Sequence, residues 1–239
     1  MPVRLKPPEF SNAFTASLNY AKTKNLLQFD FLVEAFFTTL ENPFTTVSTG
    51  AVLPNGSILE EVRNGEGAQV YGTNLEWGYS PNPDWIFQVG GTWQNTRYIE
   101  AQALFEPEDG TAAEGVFTEK FVRVPNLYGY INTSWKPSDK FKVDLTGQYT
   151  GPMTVPRVID TDGRIELNTS PSFYDVNFKI ETHFDLMDDF MVTLSSGVKN
   201  IFNSYQDDFE IGPLRDSDYI YGPALPRQFF LGIKFENFH

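Results

Sequence analysis

The chain has 239 residues, 41% of them hydrophobic, 21% charged and 15% aromatic, with no cysteine and a formal net charge of −13. That charge argues against a nucleic-acid partner, which needs clustered Lys and Arg to neutralise phosphate. The missing cysteines exclude disulfide scaffolds, thiolate metal sites and cysteine nucleophiles together.

No apolar run reaches roughly 18 residues, which excludes a transmembrane helix but not a transmembrane barrel, whose strands alternate. The opening Met1-Pro2-Val3-Arg4-Leu5-Lys6-Pro7-Pro8 lacks the apolar core of a signal peptide. Period-two alternation, the mark of a half-buried strand, then recurs along the chain. In order, the apolar sets are Phe14/Ala16/Leu18/Tyr20, Leu27/Phe29/Phe31/Val33/Ala35/Phe37, Tyr71/Thr73/Leu75/Trp77/Tyr79 and Trp85/Phe87/Val89/Gly91/Trp93. They continue as Leu127/Gly129/Ile131/Thr133/Trp135, Phe141/Val143/Leu145/Gly147/Tyr149, Tyr174/Val176/Phe178/Ile180/Thr182/Phe184, Phe190/Val192/Leu194/Ser196/Val198 and Phe229/Leu231/Ile233/Phe235. This predicts about nine strands of roughly 9 to 13 residues, long enough to cross a bilayer when tilted.

The connections sort by length. Lys22–Asn25, Ser80–Asp84, Lys136–Lys140 and Asp185–Asp189 are tight turns. Glu41–Glu66, Ala101–Lys120, Pro152–Pro171 and Asn203–Leu225 are long polar segments of about 20 residues or more, far beyond ordinary hairpin loops. Outer-membrane barrels sort their loops in this way, with short periplasmic turns and long extracellular loops.

Aromatics on the apolar face band at both ends. Tyr20, Tyr79, Trp85, Trp135, Phe141, Phe184 and Phe190 stand near the tight turns, and Phe37, Tyr71, Trp93, Tyr149, Tyr174 and Phe229 near the long loops. Two girdles around an aliphatic band are expected at two membrane interfaces. The opposite face carries Asp30, Glu34, Asn74, Glu76, Gln88, Asn132, Asp144, Asn177, Lys179, Glu181 and Lys234, which must meet water, a plug or a ligand. Nine strands is an odd number, whereas a closed single-chain bacterial barrel has an even one. The expectation is therefore of further strands preceding this segment, the chain having been cut within a long loop near Pro2 to Pro8.

The stretches Gly197-Val198-Lys199-Asn200-Ile201-Phe202-Asn203, Asp216-Ser217-Asp218-Tyr219-Ile220-Tyr221-Gly222-Pro223 and Leu225-Pro226-Arg227-Gln228-Phe229-Phe230-Leu231-Gly232-Ile233-Lys234-Phe235 resemble the closing strands of a TonB-dependent outer-membrane receptor of the Bacteroidetes type. Leu5-Lys6-Pro7-Pro8-Glu9-Phe10-Ser11-Asn12, Tyr71-Gly72-Thr73-Asn74-Leu75-Glu76 and Val124-Pro125-Asn126-Leu127-Tyr128-Gly129-Tyr130 add weaker matches. The resemblance implies an all-β, antiparallel 22-stranded transmembrane barrel in the bacterial outer membrane, of which residues 1–239 are the C-terminal portion. It also implies a plug domain, energy delivered through TonB, and uptake of an iron-siderophore, haem or cobalamin. The plug and about 13 strands are not in this chain. Family members end on an aromatic residue, whereas here Phe238 precedes His239 and falls off phase.

No catalytic, metal-binding or cofactor motif is read. Asp160-Thr161-Asp162-Gly163 opens like a calcium loop without completing its ligand set, and Asp207-Asp208-Phe209-Glu210 reads as a solvated acidic loop. His183 and His239 have no partner at metal-ligand spacing. Strand direction places Gln94, Thr96, Gln148, Thr150, Asp175, Lys199 and Gln228 on the lumenal face near the long loops, as candidate ligand contacts. The competing expectation is a soluble or surface β-sandwich module whose apolar face is its core.

Overall fold

The computed structural model describes residues 7–106, 114–159, 164–187, 190–213 and 215–237. Its strands are β1 (Phe10–Lys24), β2 (Leu27–Glu41), β3 (Phe44–Val52), β4 (Ile58–Asn64), β5 (Ala68–Ser80), β6 (Trp85–Phe105) and β7 (Val116–Lys120). They continue as β8 (Leu127–Ser138), β9 (Phe141–Thr150), β10 (Thr154–Val158), β11 (Ile165–Thr169), β12 (Phe173–Met187), β13 (Phe190–Lys199) and β14 (Gln228–Asn237). The calcium-like segment 160–163 and the terminal residues 238–239 lie outside the described residues.

Each alternating segment of the sequence becomes a rung-by-rung partner of the next. The main path of a 12-stranded sheet runs β1-β2-β5-β6-β8-β9-β12-β13-β14, all antiparallel, and these nine strands coincide with the nine apolar sets, while β3 and β7 join the sheet at β6 and β4 joins through β3. Registers keep apolar against apolar, as in Phe14↔Phe37↔Tyr71 and Val89↔Ile131↔Gly147. A one-residue slip would turn every such residue to the polar side. At the β1–β2 turn Asn25 has φ 53, a left-handed conformation that Asn tolerates better than most residues. The sheet is open: β1 pairs only with β2 and β14 only with β13, so each keeps a free edge among the described residues.

Three of the four long polar segments are more ordered than the sequence suggests. Segment 41–66 folds as the β3–β4 hairpin, and segment 152–171 as the separate β10–β11 hairpin. β6 runs 21 residues, well past Trp93, and pairs with β7 across segment 101–120. Loops this long must find partners for their backbone N–H and C=O groups, and hairpin ladders supply them. The fourth segment, between β13 and β14, contains no strand among its described residues.

Burial is distributed in an unusual way for a chain of this size. The largest fully buried apolar side chains among the described residues, Val47, Phe105 and Val155 at 1% exposure, belong to the long-loop superstructure. The apolar face of the nine-stranded sheet is uncovered: Phe14 is 72% exposed, Leu231 76% and Leu75 49%. No described strand packs over that face, since the only strand neighbours are hydrogen-bonded ones. A β-sandwich would bury this face against a second sheet about 10 Å away, and no such sheet lies over it among the described residues.

Aromatic rings line the two ends of the apolar face. On the tight-turn side, Trp77 stacks on Tyr79 at 5.8 Å, Tyr79 on Phe87 at 6.3 Å, Phe87 on Trp85 at 5.2 Å and Trp85 on Trp135 at 5.3 Å. Phe141 closes this row edge-on to Trp135 at 6.4 Å. At the long-loop end, Tyr71 meets Trp93 at 6.3 Å and Tyr149 meets Tyr174 at 5.1 Å. Between the rows lie Val33, Leu75, Val89, Ile131 and Leu145, an aliphatic band over which no strand of the described residues packs.

Candidate functional site beneath the long loops

The polar face is where chemistry can happen, and register decides which residues meet there. Gln148 on β9 faces Asp175 on β12, and Lys199 on β13 faces Gln228 on β14. Asp175, Lys199 and Gln228 share the wall of a cavity of about 1050 Å3 with Asn177, Asn200 and Phe230. Lys199 Nζ lies 5.9 Å from the centre of the Phe230 ring, a cation–π distance. Gln148, Thr150 and Asp175 line a second cavity of about 400 Å3 with Arg123 and Tyr221, so Asp175 borders both.

The other two predicted residues stand elsewhere. Gln94 donates from Nε2 to the Pro125 carbonyl at 2.9 Å, holding the chain that leads into β8. Thr96 is 8% exposed and lines a different cavity beside Arg97. Deeper on the same face, β9 and β12 set four charges in a checkerboard. Lys142 pairs with Asp144 at 3.0 Å and Lys179 with Glu181 at 2.7 Å, while register puts Lys179 opposite Asp144 and Glu181 opposite Lys142. His183 Nδ1 hydrogen-bonds Thr193 Oγ1 at 2.8 Å as an ordinary cross-strand polar pair. Among the described residues no three of His, Asp and Glu gather closely enough to hold a metal ion.

Sequence reasoning missed a folded platform made by the loop after β13. Asn200 starts it in a left-handed conformation, φ 50, donating from Nδ2 to the Ser204 carbonyl at 3.2 Å and the Leu225 carbonyl at 3.0 Å. Gln206 is 1% exposed and satisfies both ends of its amide, to the Tyr219 carbonyl at 3.0 Å and from the Tyr221 N–H at 2.9 Å. Two members of the acidic run are fixed structural partners. Asp208 accepts hydrogen bonds from the Tyr219 hydroxyl at 3.1 Å and the Tyr221 hydroxyl at 2.7 Å. Glu210 accepts from Arg157 Nε at 2.8 Å and from the Asp216 N–H at 2.7 Å, tying the loop to β10.

These bonds set the charges. Partial burial would raise the Asp208 carboxyl, but donation from Tyr221, Tyr219 and Gln206 outweighs it and holds the group below the usual carboxylate range. The Asp216 N–H, and after it Arg157, hold Glu210 low as well. Burial, then the hydrogen bond to Asp208, pushes both the Tyr219 and Tyr221 hydroxyls up. Arg157 also lies 4.9 Å over the Tyr219 ring. The useful signal in the sequence was the pair Tyr219-x-Tyr221, which puts two hydroxyls within reach of one carboxylate.

Such a wall offers amides, hydroxyls and both signs of charge under an ordered loop, groups that can hold a polar ligand by hydrogen bonds.

Solved structures share this architecture. The chain superposes on the ferripyoverdine receptor of the outer membrane of Pseudomonas aeruginosa with a TM-score of 0.65 and 16% identity, over 98% of this chain and 28% of that one. The ferric-catecholate import receptor Fiu from E. coli K12 gives 0.62 and 17%, over 98% and 28%. The copper transporter OprC gives 0.59 and 12%, over 95% and 31%. No protein-family model and no curated protein matches the chain. At these identities the likeness defines the fold: an antiparallel wall of the kind that forms part of an outer-membrane receptor barrel. The chain spans less than a third of the length of these receptors.

Proposed function

We propose that the chain is the C-terminal wall of a TonB-dependent outer-membrane receptor that takes up a metal chelate, with ferric siderophores the favoured class. The carrying observation is the uncovered apolar face with an aromatic row at each end, because only lipid or a second protein layer removes that surface from water. Solved structures of like fold that act on ferripyoverdine, ferric catecholate and copper support the chelate class, and none of those names cobalamin. The Asn200-Ile201-Phe202-Asn203 and Pro226-Arg227 elements support the Bacteroidetes type.

In this reading the remaining strands close the barrel against β1 and β14, a plug fills the polar side, and TonB acts through that plug. Asp175, Lys199 and Gln228 contact the ligand from the larger cavity, and Gln148 and Thr150 from the smaller one. Gln94 and Thr96 shape the rim of the long-loop end. The test is uptake of radioactive ferric siderophores by cells carrying the full-length receptor, with and without TonB. TonB-dependent uptake that disappears on deleting the receptor is expected; a receptor whose deletion changes no chelate uptake would refute the proposal.

A further inference from the structure

The apolar face carries a basic pair that the chelate reading does not use. Arg97 on β6 and Lys120 on β7 are register partners, so their side chains leave the sheet on one face. Counting along β6 from Trp85, odd positions face outward through Trp93, and Arg97 continues that face. Its partner on β5, Gln69, stands one outward position beyond Tyr71 of the aromatic row. Two strand residues rise about 7 Å, which sets Arg97 at the depth of lipid headgroups if Tyr71 marks the interface.

The local chemistry suits an oxyanion. Arg97 and Lys120 are exposed, and neither lies within 4.0 Å of a carboxylate oxygen among the described residues. With its amide oxygen turned toward β6, Gln69 accepts from Arg97 Nε and Nη2 and holds the guanidinium across the strand gap. Both cations line a cavity of about 390 Å3 with Asn95, Asn126 and Thr154, whose amides and hydroxyl can add hydrogen bonds, and with one acid, Glu119. Arginine and lysine side by side, with neutral donors around them, match a phosphate that needs several donors at once.

We infer that Arg97 and Lys120 bind the phosphate of a lipid headgroup in the outer leaflet, anchoring the barrel wall at the foot of its long loops. The inference rests on the membrane reading above. The lipid is preferred to a soluble oxyanion because the pair sits on the outward face, just beyond the aromatic row, where headgroup phosphates are concentrated.

The test uses the full-length receptor in phosphatidylcholine vesicles containing a minor fraction of phosphatidylglycerol, with retained lipid counted by native mass spectrometry. Wild type should retain phosphatidylglycerol over phosphatidylcholine by about tenfold or more. The double variant Arg97→Gln/Lys120→Gln should lose that preference, Arg97→Lys should keep most of it, and Lys22→Gln on the tight-turn side should keep all of it. An unchanged preference in the double variant overturns the inference. So does inorganic phosphate bound as tightly by the detergent-solubilised protein through the same two residues, because the site would then serve a free oxyanion. A receptor that does not enter vesicles at all refutes the membrane reading instead.

Discussion

Leu75→Arg separates a lipid-facing sheet from a water-facing one. Leu75 lies on β5 midway between Tyr71 and Tyr79, flanked in register by Val33 and Gly91, and 49% of it touches no protein. If water met this face, exchanging a half-exposed leucine for arginine would change stability by no more than about 0.5 kcal/mol. In the bilayer midplane the same exchange costs about 2–4 kcal/mol, which is roughly a 30- to 700-fold shift in the folding equilibrium. Reversible guanidinium unfolding of the receptor in lipid vesicles, followed by tryptophan fluorescence, measures it. Ile211→Arg is the internal control, since Ile211 is 94% exposed on the platform loop, outside the membrane band, and should move stability by less than about 0.5 kcal/mol. Equal, small effects at both positions would refute the assignment of this face to lipid.

Other outcomes follow from the platform and the polar wall. Asn200→Ala removes two carbonyl partners and the acceptor for the Ser204 N–H, so it should destabilise the 200–227 loop by about 1–3 kcal/mol, read as faster hydrogen exchange there with β12 and β13 unchanged. The folded-state values of Asp208 and Glu210 lie below their unfolded ones of about 3.9 and 4.3, so their stabilisation is complete above about pH 5 and is lost as pH falls through the lowered values. Protection of the Asp216 amide, corrected for intrinsic exchange, should therefore drop between about pH 5 and about pH 3, and constant protection would contradict the Glu210 contact. Because the Tyr219 and Tyr221 hydroxyls are raised, at least two of the 11 tyrosines should resist ionisation in an absorbance titration until well above the usual pH of about 10. Asp175→Asn, Lys199→Gln and Gln228→Ala combined should weaken chelate binding by at least about tenfold while leaving the unfolding midpoint in place; unchanged uptake rejects their role as ligand contacts.

What could be read from the sequence was whatever is local. Period-two alternation names its own strands and faces, so the nine strands, the outward Phe14-to-Phe235 series and the tight turns were all visible before any pairing was known. Hidden features depend on partners distant in sequence. The β10–β11 hairpin carries Pro156, which weakens a strand reading, and is held by Glu210 some fifty positions away. Asp208 and Glu210 looked like solvated acids because the groups that fold back on them, Tyr219, Tyr221 and Arg157, lie 11, 13 and 53 positions from their partners. Parity sets Gln94 and Thr96 on the same face as Asp175, yet not beside it: the upper half of β6 leans on β7 and the chain before β8, and these take up both side chains' surroundings.

The most direct measurement of the central claim is spin-label accessibility along β5, β6, β8 and β9 in the vesicle-embedded receptor, one label at a time. Labels at Leu75, Val89, Ile131 and Leu145 should collide with oxygen dissolved in the bilayer, while labels at Asn74, Gln88, Asn132 and Asp144 should meet the water-soluble reagent or be shielded by the plug. A clean period-two alternation between the two sets is expected. Outward labels as accessible to the aqueous reagent as to oxygen, or immobilised as in a protein core, would contradict a membrane-spanning wall.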